Sequence, residues 1–121
     1  MIGFFSMQPN DRFLLETIKG YCDDIDWAVK SFSLTEKEIT ENPGFRAMLA
    51  FFVQQIGETS GKLSEEFKNS HPEVEWKAII GFRNHIVHAY GKVIPEILWD
   101  TVKNDIPELR DFCTAILATI N

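Results

Sequence analysis

The segment from position 83 to position 90 holds the densest set of side chains that could do chemistry. It places a fixed cation, two imidazoles, an amide and a phenol within eight residues. In order, they are Arg83, Asn84, His85, His88 and Tyr90. Histidine exchanges protons near neutral pH, and the planar fork of arginine matches phosphate oxygens. One group that moves a proton and one that stabilises negative charge on phosphorus are the minimum for cleaving an RNA phosphodiester without a metal ion.

Each of these side chains also has a purely structural interpretation. Arg83 could pair with an acidic neighbour, a histidine near a helix C-terminus is favoured by the helix dipole, and Tyr90 could be a half-buried core residue. His85 and His88, three residues apart, could share a metal ion, but no carboxylate or thiol lies on the same helix face nearby. We therefore expect no metal and no other cofactor.

The amino-acid composition indicates which class of protein carries this cluster. The chain has 121 residues, 45% of them apolar and 25% charged, which is typical of an ordinary globular protein. We expect one domain over residues 1–121. The net charge of −6 argues against a broad basic surface for nucleic acid, but a few placed cations could still hold a short stretch of RNA.

Segments for export or membrane insertion are not evident in the sequence. No apolar run approaches the ~18 residues of a membrane span, and the first residues do not resemble a signal peptide. Cys22 and Cys113 form no CxxC motif and fit reduced core thiols better than a disulfide framework. We expect a cytoplasmic protein that does not contact membranes.

The elements that must position the cluster are helices, because apolar residues recur at helical spacing along most of the chain. Asn10 or Asp11 can cap the first helix. A capping box of Thr35 with Glu38 predicts a short helix over roughly 36–41, and Pro43 suits the first turn of the next one. The stripes of the first two long segments are Leu14, Ile18, Tyr21, Ile25 and Ala28, then Phe45, Leu49, Phe52, Ile56, Leu63 and Phe67.

The cluster falls at the end of the third long segment. This helix should begin between Pro72 and Trp76, turn Ile79, Ile80 and Val87 toward the core, and end near Gly91. The stripe of the last segment passes through Pro107 unbroken, which predicts a kink there and not a break. The fold class is therefore all-α: an up-down four-helix bundle with one short extra helix.

Polar residues outside the cluster are expected to be solvated. His71, in the turn before Pro72, should face solvent. Asp23, Asp24 and Asp26 form an acidic patch with no evident cation partner in the sequence.

The cluster resembles the Arg-x4-His-x-Tyr motif of the HEPN superfamily, and specifically of HepT-like toxins. Arg83, His88 and Tyr90 occupy the motif positions, and Asn84 is the polar residue that follows the arginine in that family. The flanking sequence is also similar to the family, from about residue 45 to the C-terminus. It includes Ile56-Gly57-Glu58, Leu63-Ser64-Glu65-Glu66, the run from Trp76 to Asn84, Trp99-Asp100-Thr101-Val102 and Asp105-Ile106-Pro107-Glu108-Leu109.

The resemblance implies a specific activity and specific partners. HepT-like proteins are all-α homodimers whose motif helices meet at a cleft across the interface, and members are ribonucleases that act without metal. They are paired with a separate minimal nucleotidyltransferase that serves as antitoxin. In such systems the antitoxin can add AMP to the motif tyrosine, which is Tyr90 here. Arg83 and His88 would be the catalytic pair acting on the RNA substrate, with Asn84 in support.

Two further expectations concern the assembly and the alternative function. On an ideal helix the five residues from Arg83 to His88 span about 140° of net rotation, which places the two side chains on different faces. We therefore expect the dimer cleft to combine Arg83 of one chain with His88 of its partner. The alternative function is a non-catalytic helical module that binds nucleotide or acts as an adaptor for the nucleotidyltransferase. The acidic charge favours it, because RNA is repelled at long range.

Overall fold

The N-terminal half of the chain forms two long helices and two short ones. A computed structural model describes residues 7–87 and 91–119. Helix α1 spans Pro9–Ser31, α2 Glu36–Glu41, α3 Pro43–Gly61 and α4 Glu65–Ser70. Asn42 caps α3, because its side-chain oxygen accepts hydrogen bonds from the backbone N–H groups of Gly44 and Phe45 at 2.9 and 3.1 Å. The predicted short helix over 36–41 is confirmed, and the side chain of Thr35 caps it.

The C-terminal half carries the remaining helices. Helix α5 spans Trp76–Ile80, α6 Phe82–Ile86 and α7 Pro95–Asp100; a π turn over Thr101–Asp105 leads directly into α8, Ile106–Thr119. Helix α1 packs against both α3 and α8, and α3 packs against α5 and α6. In the part of the chain that is described, the only β pairing is an isolated antiparallel bridge between Val87 and Val93. The all-α prediction is confirmed.

A single hydrophobic cluster joins these helices. It takes residues from every helix between α1 and α8, and the predicted stripes supply most of them. The core members on the predicted stripes are Leu14, Ile18, Ile25, Ala28, Leu49, Ile56, Leu63, Phe67, Ile79, Leu98, Val102, Ile106, Leu109 and Cys113. Ile80 is an exception, because its side chain is 40% exposed. Over residues 7–87 and 91–119, no helix has the length and apolarity needed to cross a membrane.

The second predicted stripe runs across a break in the helix. Leu63 and Phe67 are buried as expected, but α3 ends at Gly61 and Ser64 starts α4 as its N-cap. Buried Asp11 fixes this junction: its carboxylate accepts hydrogen bonds from the backbone N–H of Ser64 at 2.8 Å and from the Ser64 hydroxyl at 2.6 Å. Asp11 is not the cap of α1, which begins after Gln8. It lies at the third helical position and accepts the Gln8 backbone N–H.

The third predicted helix is also divided and shorter than expected. It breaks at Gly81, a poor helix former, and ends at Ile86 instead of Gly91. The backbone N–H of Ile94 donates to the Ile86 carbonyl at 2.7 Å, and Val87 takes an extended conformation in its bridge to Val93. Pairing of these β-branched residues with a later segment therefore ends the helix, a tertiary effect that local periodicity does not contain.

The irregularity predicted at Pro107 takes the form of the π turn. Proline has no N–H, and its ring clashes with the carbonyl four residues earlier, which belongs to Lys103. The wider turn accommodates this, and the backbone N–H of Ile106 reaches back five residues to the Thr101 carbonyl. The last helix therefore continues through the proline from Pro95 to Thr119.

Two predictions about polar surface residues are wrong. Asp23 and Asp26 have cation partners, because Arg110 of α8 contacts them at 2.6 and 3.3 Å and ties α8 to α1. His71 does not face solvent: its side chain is 16% exposed, and its ring lies 4.6 Å from that of Phe67. The contacts of Arg110 with the two aspartates and of the His71 ring with that of Phe112 at 5.3 Å join residues far apart in the sequence.

Candidate active site

Helix α6 presents Arg83, Asn84 and His85 to solvent. Its two apolar residues, Phe82 and Ile86, are buried, with exposures of 3% and 0%. They stand four residues apart on one face of the helix, so their burial anchors that face in the core. The three polar residues between them must then project outward, and all three are exposed.

Arg83 differs from the other three arginines of the chain in its contacts. Arg12 pairs with Glu16 at 3.0 Å, Arg110 bridges two aspartates, and Arg46 donates to two backbone carbonyls. The closest polar contact recorded for Arg83 is a long one, 3.5 Å from its Nη1 to Oδ1 of Asn84. Within the described residues no carboxylate lies at ion-pair distance from it. Among these residues Arg83 therefore has no ion-pair partner. They leave its guanidinium free to bind an anion.

His88 and Tyr90 lie outside the described residues. The chain on either side of them is defined: the Val87–Val93 bridge closes the segment, and Gly91 has a positive φ of 77°, a conformation that favours glycine. The rotation of about 140° between Arg83 and His88 assumed an unbroken α-helix. Because α6 ends at Ile86, the rotation of an unbroken helix does not carry from Arg83 to His88, and the pairing of Arg83 with His88 of the partner chain stays a prediction.

His85 points to a different surface from Arg83. Two residues on a helix are about 200° apart, and His85 lines a cleft of about 670 Å³ between the α5–α6 segment and α8. Arg83 is not among the residues that line it. Acidic side chains rim this cleft, namely Glu73, Glu75, Asp105 and Glu108. Sequence reasoning missed this surface, because its acids come from two segments about thirty residues apart along the chain.

The acids of this cleft act on one another electrostatically. The pKa of Asp105 is raised, first by burial and then by the nearby charge of Asp100, with smaller contributions from Glu108 and Glu75. His85 acts in the opposite direction and lowers it. The cleft is therefore a region of negative potential, which disfavours binding of an RNA phosphate.

The two cysteines are not candidates for nucleophilic chemistry. Both are buried and free, which confirms the prediction of core thiols. Burial raises the pKa of Cys113 to about 12 and also raises the pKa of Cys22, so neither forms a reactive thiolate near neutral pH. In the ranges 7–87 and 91–119, no group of three or more histidine, cysteine or acidic side chains is placed to hold a metal ion.

Comparisons with known proteins place most of the chain in a single family. The model of the family described as "Ribonuclease HepT-like" matches residues 18–116. The chain is 33% identical over 99 residues to "Probable ribonuclease HepT" of Thermococcus cleftensis, with 76% of this chain and 88% of the relative covered. It is 32% identical over 106 residues to a "Putative RNase" of Caldanaerobacter subterraneus, with 88% and 93% covered. No solved structure matches it significantly.

Proposed function

The chain belongs to the HepT-like ribonuclease family, and from that premise we propose that it is an endoribonuclease that cleaves RNA without a metal ion. In this proposal it is the toxin of a toxin–antitoxin system, and a separate minimal nucleotidyltransferase neutralises it. The observation that carries the proposal is Arg83, exposed on α6 and, among the described residues, in ion-pair contact with no carboxylate.

Arg83 and His88 divide the chemistry between them. The guanidinium of Arg83 contacts the scissile phosphate and stabilises the negative charge that builds up in the transition state. His88 is the general acid or base that transfers the proton. Asn84 supports the pair, because its side-chain oxygen faces the Arg83 guanidinium and can hold it in position.

A second copy of the chain completes the site. Phe51, Glu58 and Gly61 are exposed positions on one face of α3, spaced seven and three residues apart. The side chain of Ile80 lies beside Gly61, within 3.8 Å of where a β-carbon on that glycine would stand. We call this surface, which holds the exposed apolar side chains of Phe51 and Ile80 together with Glu58 and Gly61, the α3 strip. Exposed apolar side chains are common at interfaces, and Ile80 stands three residues before Arg83 in the sequence. Dimerisation through the α3 strip would place two copies of the motif close together.

The antitoxin acts on Tyr90 in this proposal. Addition of AMP to that phenol brings bulk and negative charge next to the phosphate-binding arginine. RNA is then excluded both sterically and electrostatically.

The proposal predicts that the purified chain cleaves RNA in the presence of EDTA. Neither arginine nor histidine needs a metal ion for the roles assigned here. The measurement is gel analysis of a labelled RNA pool with EDTA, with Mg²⁺ and with Mn²⁺. The Arg83→Ala variant, purified by the same procedure, controls for contaminating nucleases. Cleavage that appears only when a divalent ion is restored would contradict the mechanism.

The alternative is a non-catalytic adaptor for the nucleotidyltransferase. The net charge of −6 favours it, because a protein with this charge repels RNA at long range. An adaptor has no use for the Arg83–His88 pair. It would bind its partner and leave RNA intact under every metal condition of the assay above.

A further inference from the structure

The acid-rimmed cleft beside His85 is a surface that RNA cleavage does not require. It lies between the α5–α6 segment and α8, with a volume of about 670 Å³, which is the size of a typical ligand pocket. Arg83 does not line it, and His85 separates the cleft from the arginine side of α6. Any occupant of the cleft is therefore expected to differ from the RNA phosphate.

Carboxylates dominate the rim of this cleft. Four of them, Glu73, Glu75, Asp105 and Glu108, face the single ammonium of Lys77. Glu73 contacts the ring of His71 at 3.3 Å. Within the described residues the other three carboxylates make neither an ion pair nor a side-chain hydrogen bond. Asp23 and Asp26, by contrast, share the guanidinium of Arg110. Among the residues that line the cleft, the four carboxylates thus outnumber the one ammonium.

The floor of the cleft is apolar. Side chains of Val74, Ile79, Phe82, Leu109 and Phe112 line it. A small hydrated cation would gain nothing from such a floor, whereas a peptide that alternates cationic and apolar side chains would use both floor and rim. Nucleic acid is disfavoured, because every phosphate would meet the carboxylates of the rim.

We propose that this cleft is the docking site for a lysine- or arginine-bearing segment of another protein. The cationic side chains of the segment pair with Glu75, Asp105 and Glu108, and its apolar side chains rest on the floor. Binding relieves the mutual repulsion of the rim acids. Charge complementarity of this kind governs association rate and choice of partner. Because the site lies on the opposite side of α6 from Arg83, it can hold a partner while RNA cleavage proceeds.

The test uses a labelled model peptide and two matched sets of substitutions in the full chain. The probe is a fluorescein-labelled peptide of about twelve residues with two leucines or alanines between successive lysines. Two further probes are measured beside it. One is the same peptide with glutamate in place of lysine, and the other is a short labelled RNA. The cleft variant combines Glu75→Gln, Asp105→Asn and Glu108→Gln. The control variant combines Glu36→Gln, Glu38→Gln and Glu41→Gln, three exposed acids on α2 that do not line the cleft.

Fluorescence anisotropy gives the affinity of each protein for each probe. We expect the lysine peptide to bind the native chain with an affinity that falls as salt rises. The cleft variant should lose about tenfold or more of that affinity, and the control variant less than about twofold. Circular dichroism shows that all three proteins are folded. Equal losses in both variants would mean a non-specific charge effect and would overturn the proposal. So would no binding of the lysine peptide to the native chain, or RNA binding that the cleft substitutions weaken.

Discussion

The guanidinium of Arg83 has no carboxylate partner among residues 7–87 and 91–119. Three of the four arginines are engaged by carboxylates or backbone carbonyls, and those contacts stabilise the fold. Nη1 of Arg83 instead approaches Oδ1 of Asn84 at 3.5 Å. A planar cation that gives up no ion pair to the described residues suits a phosphate.

Tyr90 provides a prediction at the same scale. After co-expression with the cognate nucleotidyltransferase, we expect the mass of the Tyr90 peptide to increase by AMP. Tyr90→Phe should remain unmodified and should keep its toxicity in the presence of the antitoxin. Tyr21 is the only other tyrosine, and its ring packs 6.1 Å from that of Phe52, so Tyr21→Phe is the matched control and should still be modified. A Tyr90→Phe protein that the antitoxin silences without modification would contradict this role.

At the scale of elements, the contact between α3 and α5 fixes the segment that carries Arg83. A β-carbon on Gly57 would stand 2.8 Å from the backbone carbonyl oxygen of Ile79, and a carbonyl cannot move aside as a flexible side chain can. Gly57→Ala should therefore destabilise the fold by about 1–3 kcal/mol. It should also reduce cleavage, because α5 leads directly into α6.

Gly20 provides the matched control for that substitution. It also lies inside a helix, but no atom lies within 4 Å of the position its β-carbon would take. Gly20→Ala should raise stability by about 0.5–1 kcal/mol. Thermal and denaturant unfolding of both variants measures the two effects. A Gly57→Ala protein as stable as Gly20→Ala would show that the close approach of α3 and α5 does not limit this position.

What the sequence could and could not predict is clearest at this scale. The stripes identified most of the described core, and Pro43 marked the start of α3 correctly, because these signals are local. The end of α6 at Ile86 could not be predicted from local signals, because it depends on pairing with Val93 and Ile94. The role of Arg83 stays a prediction from its resemblance, with His88 and Tyr90, to the motif of the family. The acid-rimmed cleft was not predicted, because Glu75 and Asp105 meet only after folding.

At the scale of the whole molecule, the proposed assembly uses the exposed apolar side chains Phe51 and Ile80, and not the exposed apolar side chains of α1. We expect the chain to be a homodimer through the α3 strip, so Phe51→Lys should yield a monomer that cleaves RNA poorly. Phe51 is 54% exposed, so the substitution should leave the fold intact. Trp27→Lys is the matched control: it changes a side chain that is 63% exposed on α1, and it should remain a dimer. Light scattering during gel filtration measures the mass. A native monomer, or a dimer of Phe51→Lys, would contradict the assignment of this surface.

Negative and positive charges lie on different sides of α6. The net charge of −6 includes the rim of the cleft beside His85, whereas the other side of α6 presents Arg83. RNA and a basic protein segment can then approach the same short helix from opposite sides. An acidic ribonuclease is reasonable on this view, because an exposed arginine can bind a phosphate locally although the net charge of the chain is negative.

The most direct test of the account is the initial rate of RNA cleavage by single variants of α6 and the following segment, measured in EDTA. Arg83→Ala and His88→Ala should each lower the rate by about 100-fold or more, the usual cost of removing a transition-state donor or a proton-transfer group. His85→Ala and Arg12→Ala, at exposed positions outside the proposed pair, should stay within about threefold of the native rate. Far-ultraviolet circular dichroism and the thermal midpoint show whether each variant is folded. The account predicts two inactive, folded proteins and two active ones; a folded Arg83→Ala protein that cleaves at the native rate would contradict it.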